Sequence, residues 1–314
     1  MSKNKRKADI GKNIFVGVIC TILIVYSLSL LLVLAWGFLT SLKSKLDFVV
    51  FGNIVNLPSL EWSKTEFLKF GNYTNIFKDF KINSSVDYFV GDMPVGHEST
   101  DNIGSMLLNS IVYAVIGALE HSFIPAIMAY MCAKYHCKIS AFLCSLVIVT
   151  MAIPIVGNYP SMITTLRALN IYDSYLGLII MRFNFGGMYF LVFHAFFSGL
   201  SNTYSEAAEI DGASQLRIMT TIIMPLAIKI ISTVFLIQFV QLWNDYRTAL
   251  IYMPTHPTLS YGVYYLSIGT NKGTFAFVPA KTAACMMLAI PILLLFIFFK
   301  DKIMGNVTIG GIKG

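Results

Sequence analysis

From Ile14 to Leu39 the chain reads IFVGVICTILIVYSLSLLLVLAWGFL, with no charged side chain anywhere in the run. Crossing the hydrocarbon core of a bilayer takes about 20 apolar residues as a helix, so this run is long enough to span. Similar windows recur, giving six candidate spans at about 13–40, 106–131, 140–157, 175–200, 226–247 and 280–299. The third is the shortest and holds Pro154. Pro125, Pro154 and Pro291 need not end their helices, because neighbouring helices re-satisfy the freed backbone groups inside a membrane. The first window follows Lys3, Lys5, Arg6, Lys7 and Lys12, but it is too long for a signal-peptide core and has no convincing A-x-A cleavage site. It reads as a retained helix.

Composition excludes the other classes. With 56% hydrophobic residues, 12% charged and a mean hydropathy of +0.69, the chain is neither a water-soluble globule nor a disordered one. The five cysteines avoid the expected outside loops, so no disulfide framework is implied. The net charge of +7 comes from basic residues near the ends of apolar runs, not from one stripe, which points to membrane orientation and away from nucleic acid. Lys and Arg are denser in segments 1–12, 132–139, 201–225 and 300–314 than in 43–105, 158–174 and 248–279. The positive-inside rule then puts the first set, and both termini, in the cytoplasm of a multi-pass plasma-membrane protein. The expected organisation is a cytoplasmic tail 1–12, a six-helix domain 13–299 with external loop 43–105 and cytoplasmic loop 201–225, and a cytoplasmic tail 300–314.

Catalytic signatures are missing. No G-x-x-x-x-G-K-[ST] cradle occurs, so the chain has no nucleotide site of its own. His97-Glu98 opens like a zinc-protease helix, but position 101 is Asp101 and the pair reads as polar loop. Cys132, His136 and Cys137, with Cys144 nearby, fall short of a four-ligand zinc set and read as reduced thiols at the membrane edge. The chain is therefore expected to be neither an enzyme nor a metal or cofactor carrier.

The most informative stretch is SNTYSEAAEIDGASQLRIMTTIIMP, residues 201–225. Thr203 and Glu206 fit a capping box that starts a short helix near Tyr204. Ala207 and Ala208 give that helix a small-residue face, and Gly212 can take the left-handed backbone that ends it. A second short helix fits Ser214 to Ile223, with Leu216, Met219, Ile222 and Ile223 on one face and Pro225 marking entry into the fifth span. A helix–turn–helix beneath the membrane can transmit a push.

This stretch resembles the EAA loop of binding-protein-dependent ABC transporter permeases, whose pattern is E-A-A, three residues, G, nine residues, I-x-L-P. Glu206, Ala207, Ala208 and Gly212 match, and Ile222, Ile223, Met224 and Pro225 complete the pattern with Met224 in place of Leu. Asp211 and Ala213 extend it to the form of the MalG-like carbohydrate permeases. Asn72-Tyr73, Asn109-Ser110, Trp243-Asn244 and the terminal Gly310-Gly311-Ile312-Lys313-Gly314 are similar to that family as well. The resemblance implies an all-α membrane protein of six transmembrane helices, with Glu206, Ala207, Ala208, Asp211, Gly212 and Pro225 coupling to a separate ATPase dimer that binds ATP and Mg. It also implies a second homologous permease subunit, an extracytoplasmic solute-binding protein, and import of a sugar or oligosaccharide.

Polar groups at membrane depth are functional candidates by default. Arg182, His194, Glu120 and His121 qualify, with Gly186-Gly187 permitting close helix approach. Asn184, Tyr189, Phe190, Gln238, Gln241, Trp243, Asn244 and Asp245 combine hydroxyl-matching groups with aromatic faces and form the candidate substrate pathway. Each has a plain alternative as a helix-packing contact or an interfacial anchor. Two further functions compete: an ion-coupled secondary transporter, disfavoured because no internal repeat is visible, and an ABC permease for a non-sugar solute.

Overall fold

The computed structural model describes all residues except 1, 51, 59–69, 91–92, 136, 154–156, 184–185, 269–272 and 305–314. The elements in chain order are α1 Ser2–Ser41, α2 Gly71–Asp79, β1 Lys81–Val90, β2 Met93–Asn102, α3 Ile103–Lys134, α4 Lys138–Ala152, α5 Tyr159–Ala168, α6 Tyr175–Arg182 and α7 Met188–Ser198. They continue with α8 Thr203–Ile210, α9 Gln215–Ile218, α10 Met224–Trp243, α11 Tyr246–Tyr252, α12 Leu259–Ile268 and α13 Val278–Met304. Among the described residues, four stretches are long and apolar enough to cross a membrane: Lys12–Ser41, Ile103–Lys134, Gln215–Trp243 and Val278–Phe299. The chain divides into two compact units, residues 1–77 with 266–289, and residues 78–265 with 290–314.

The first unit is built on α1, which exposes large apolar side chains from Ile14 to Leu34 as a lipid- or partner-facing helix must. Its end is tied by polar contacts. The Asn72 amide donates to the carbonyls of Ser41 at 2.7 Å and Lys43 at 2.9 Å, groups that a helix terminus leaves without intrahelical partners. Ser41 Oγ and Tyr73 OH share a hydrogen bond of 2.6 Å. The buried Lys43 ammonium donates to the carbonyls of Asn53 and Ile54, while the Asn53 amide donates to Asp47 Oδ1 at 2.9 Å. Burial holds the Lys43 pKa below its ordinary value, with the Asp47 charge opposing the shift.

The second unit carries the larger core. α3 is 32 residues long, about 48 Å at 1.5 Å per residue, and is started by Asn102, whose Oδ1 accepts from Ser105 N at 3.0 Å. It buries Ala114, Gly117, Ala118, Ala126 and Ala129, small residues that let backbones approach, and Pro125 sits inside it unbroken. Phe190, Phe193 and Phe197 of α7, Ala208, Ile218, Ile223 and Ile231 join Ala126, Ala129 and Tyr130 in one buried cluster. Tyr130 meets Phe197 edge-on, with ring centroids 5.6 Å apart.

Among the described residues the structure departs from an all-α chain at one place. β1 and β2 form an antiparallel hairpin running from the Lys81–Asn102 pair to the Val90–Met93 pair. His97 and Glu98, read from sequence as loop, lie on β2. The hairpin root packs through Phe80 and Ile82 beside Met106 and Gly262, where a β-carbon would come within 2.8 Å of Met106 Sδ. Its middle lies against the buried Asp173, which accepts from Thr255 N at 3.1 Å and Thr255 Oγ1 at 2.5 Å. His97 Nδ1 and His256 Nδ1 stand 3.5 and 3.6 Å from the same carboxylate.

Two expected spans take a different form. The window 175–200 is not one helix: α6 ends at Arg182 and α7 begins at Met188, with Gly187 at φ +99°, a conformation open to glycine and costly for other residues. The window 140–157 is represented by α4, which ends at Ala152, and Pro154 lies outside the described residues. Residues 305–314 of the expected cytoplasmic tail lie outside them too.

Candidate functional site

Within residues 201–225, α8 covers Thr203–Ile210 and closes as its sequence requires. Gly212 N donates to Glu209 O at 3.0 Å and Ala213 N to Ala208 O at 2.9 Å, the paired bonds of a Schellman motif, with Gly212 at φ +79°. Apart from its two chain neighbours, no described residue comes within 4 Å of where a Gly212 side chain would begin, so its φ and not crowding calls for glycine.

The expected capping box is corrected. Asn202 is the N-cap and makes no side-chain capping bond, since its Oδ1 accepts from Lys134 Nζ at 2.8 Å. Thr203 starts the helix itself, its Oγ1 bonded to Ser201 Oγ at 2.6 Å. The second short helix is corrected too. α9 runs through a π turn, Met219–Ile223, straight into α10, with Met224 N–H bonded to Met219 O. Pro225 has no N–H for an α-helical bond, and the widened turn just before it accommodates the loss. Ile223 is buried in the core and Met219 and Ile222 pack half-buried against it as expected, joined by Ile218, while Leu216 departs from the expected face and is 68% exposed.

Ala208 is the seat of α8, 8% exposed within the core cluster, whereas Glu206, Ala207 and Asp211 remain open. Ile210 is 86% exposed. Ser201, Thr203, Tyr204, Ala207, Ala208, Asp211 and Ile222 line a groove of about 580 Å³. An exposed isoleucine beside an open groove offers a surface for another protein.

The second grouping lies on α3, α6 and the end of α10. Arg182 is 8% exposed, and its Nη2 donates to Tyr113 OH and lies 3.5 Å from Asp245 Oδ2. Tyr113 OH donates to the same carboxylate oxygen at 2.7 Å, and the guanidinium carbon sits 4.0 Å from the Tyr113 ring centre. Asp245 Oδ1 accepts from Thr248 N at 3.1 Å and so caps α11. Nη1 of Arg182 and both carboxylate oxygens of Glu120 are buried without a hydrogen bond among the described residues, and Glu120 and His121 lie within electrostatic reach of Arg182.

Of the candidate pathway residues that are described, Asp245 alone enters this cluster. Gln238 and Trp243 are buried, Trp243 stacked on Phe239 with centroids 5.7 Å apart. Gln241 and Asn244 are exposed, and the Asn244 amide donates to Val240 O. Tyr189 packs half-buried against the core, Phe190 is fully buried, and Asn184 lies outside the described residues. Tyr113 and Gly117 were missed from sequence, since an apolar-looking helix face gives no sign of which tyrosine meets an arginine. Cys132 donates to Ser140 O and Cys137 caps α4 through Ser140 N; His136 lies outside the described residues. Among the described residues no three His, Cys, Asp or Glu side chains are grouped to hold a metal ion.

Several apolar helices, a short exposed helix seated on their core and buried charges between them define a membrane-embedded transport subunit. Residues 122–306 match the family described as binding-protein-dependent transport system inner membrane component, and the chain belongs to that family. It is 27% identical over 212 residues to the sulfoquinovosyl glycerol transport system permease protein SmoH of Agrobacterium fabrum, covering 66% of this chain and 73% of the relative. It is 28% identical over 233 residues to the polygalacturonan/rhamnogalacturonan transport system permease protein YtcP of Bacillus subtilis, covering 69% and 79%. Among solved structures, the crystal structure of a bacterial ABC transporter involved in the import of the acidic polysaccharide alginate matches with a TM-score of 0.71 at 20% identity, covering 96% of this chain and 98% of that one. The chain thus has the mostly helical fold of an ABC transporter permease and acts as a permease subunit.

Proposed function

We propose that this chain forms half of the translocation pathway of an ATP-driven importer for a sugar or oligosaccharide, coupled through residues 201–225 to a separate ATPase dimer. The observation that carries the coupling assignment is α8 itself. It is a short helix fixed at Ala208 and closed at Gly212, with Glu206, Ala207, Asp211 and Ile210 left open to a partner. Closure of two ATPases on ATP and Mg would move this lever and switch the spans between two packings. A second permease subunit completes the pathway, and an extracytoplasmic solute-binding protein delivers the cargo. The carbohydrate assignment rests on the relatives named for sulfoquinovosyl glycerol and polygalacturonan transport. Both termini and the lever lie in the cytoplasm in this reading, with six crossings of the plasma membrane.

The test is co-expression with the ATPase, the second permease and the binding protein. Gly212→Leu and Glu206→Lys are expected to abolish ATPase co-purification and ATP-dependent uptake while the chain still inserts in the membrane. Normal uptake with the ATPase retained in both variants would refute the coupling assignment.

A further inference from the structure

The end of α3 grips both ends of α8. Lys134 Nζ donates to Leu200 O at 2.5 Å and to Asn202 Oδ1 at 2.8 Å, immediately before α8 begins. Tyr135 OH donates to Gln215 Oε1 at 2.8 Å just beyond α8, and Gln215 Nε2 donates back to Glu209 Oε1 at 2.6 Å on its last turn. Between these two ties Ala208 sits in the cluster that holds Ala129, Tyr130 and Ala133 of α3. Tyr135 is itself set edge-on against Tyr130, with centroids 5.9 Å apart.

A helix of eight residues has little stability of its own and moves as a rigid body only when its surroundings fix it. α3 is the stiff element available, running unbroken from Lys134 back to Asn102. Partway along it, Tyr113 is hydrogen-bonded to the buried Arg182 and the half-buried Asp245. The Lys134 ammonium thus lies at the Leu200 carbonyl, just past the C-terminus of α7, where a cation is favoured by the helix dipole.

We propose that Lys134 and Tyr135 are positioning residues for coupling: they fasten the lever to α3 so that displacement of α8 becomes displacement of α3 and of the charge cluster along it. This rests on the ATPase-coupling reading of residues 201–225. Loss of the fastening leaves the ATPase docked and hydrolysing while α8 moves without drawing α3 along.

The experiment uses the complete importer in proteoliposomes and measures three quantities: ATPase co-purified, ATP hydrolysed, and solute imported per ATP. Lys134→Met, which keeps the apolar stem, and Tyr135→Phe are expected to retain the ATPase and its hydrolysis but lower import per ATP by roughly 2- to 30-fold, the range of mutations that modulate coupling between sites. The double variant loses more than either single one, and Lys134→Arg restores most of the loss. Asn202→Ala, which removes one acceptor and leaves Lys134 in place, gives a smaller loss and stands in if Lys134→Met does not assemble. Unchanged import per ATP in the double variant, or in Asn202→Ala where the double variant does not assemble, overturns the proposal. Failure of the unmodified chain to retain any ATPase overturns the coupling reading beneath it, so the two failures are distinguishable.

Discussion

A β-carbon on Gly117 would lie 2.6 Å from Nη1 of Arg182 and 2.7 Å from Leu242 Cδ1, so the guanidinium rests on the bare backbone of α3. Arg182 cannot simply swing aside, because Tyr113 and Asp245 hold its other nitrogen. Gly117→Ala is expected to destabilise the subunit by about 1–3 kcal/mol, the usual cost of overpacking a filled interior. Thermal unfolding of the detergent-solubilised protein checks this. The cost should shrink in part when Arg182→Met is already present, since the guanidinium is then gone and Leu242 Cδ1 alone obstructs. An equal cost in both backgrounds would show that the arginine is not what the glycine accommodates.

Removing one member of the Arg182–Asp245 pair strands the other. Asp245→Asn keeps a capping oxygen for Thr248 N but removes the charge that faces Arg182. Breaking a buried pair costs about 3–5 kcal/mol in the general case, and about 3 kcal/mol is expected here because the Asp245 side chain is 25% exposed. Combining it with Arg182→Met should restore part of the loss. Additive costs in that double-mutant cycle would exclude the coupling between the two side chains.

Lys43 gives the first unit a pH dependence with a definite sign. Its folded pKa lies below 10.5, because burial disfavours the ammonium. Between that lowered value and 10.5 the unfolded chain binds more protons than the folded one, so the Lys43 contribution makes stability rise with pH. Tyr73 acts in the opposite sense above its ordinary value of 10.0, because burial raises its pKa and the folded chain keeps that proton longer. Melting temperatures measured below pH 10 on the wild type and Lys43→Met separate the two groups. The wild type should gain stability relative to the variant as pH rises, and a constant difference would contradict the assignment.

What the sequence revealed, and what it hid, follows from the range of the interactions involved. The close of α8 depends on a glycine and its nearest neighbours, so the spacing from Glu206 to Gly212 could be read directly. The start of α8 is set partly by Lys134, far away in sequence, and local capping rules placed the cap one residue too late. The hairpin carried half a signal: Gly91-Asp92 follows a run with Ile82, Val86, Tyr88 and Phe89, but the second run, with Pro94 and Gly96 and no aromatic residue, reads as loop. The interruption between α6 and α7 was signalled by Gly186-Gly187, which were read only as packing residues. Arg182 and its partners come from three separate places, α6, α3 and the junction of α10 with α11, and no periodicity in one sequence announces such a meeting.

The π turn at Met219–Ile223 also sets the angular phase of everything after it. Each residue advances an α-helix by roughly 100°, so a five-residue turn in place of an ordinary one rotates the rest of α10 by about that much relative to α9. Trimming the bulge by a single residue would wind Gln238, Trp243 and Asp245 around the helix axis and carry the carboxylate off Arg182. A small irregularity near the lever thereby decides which side chains meet some twenty residues downstream.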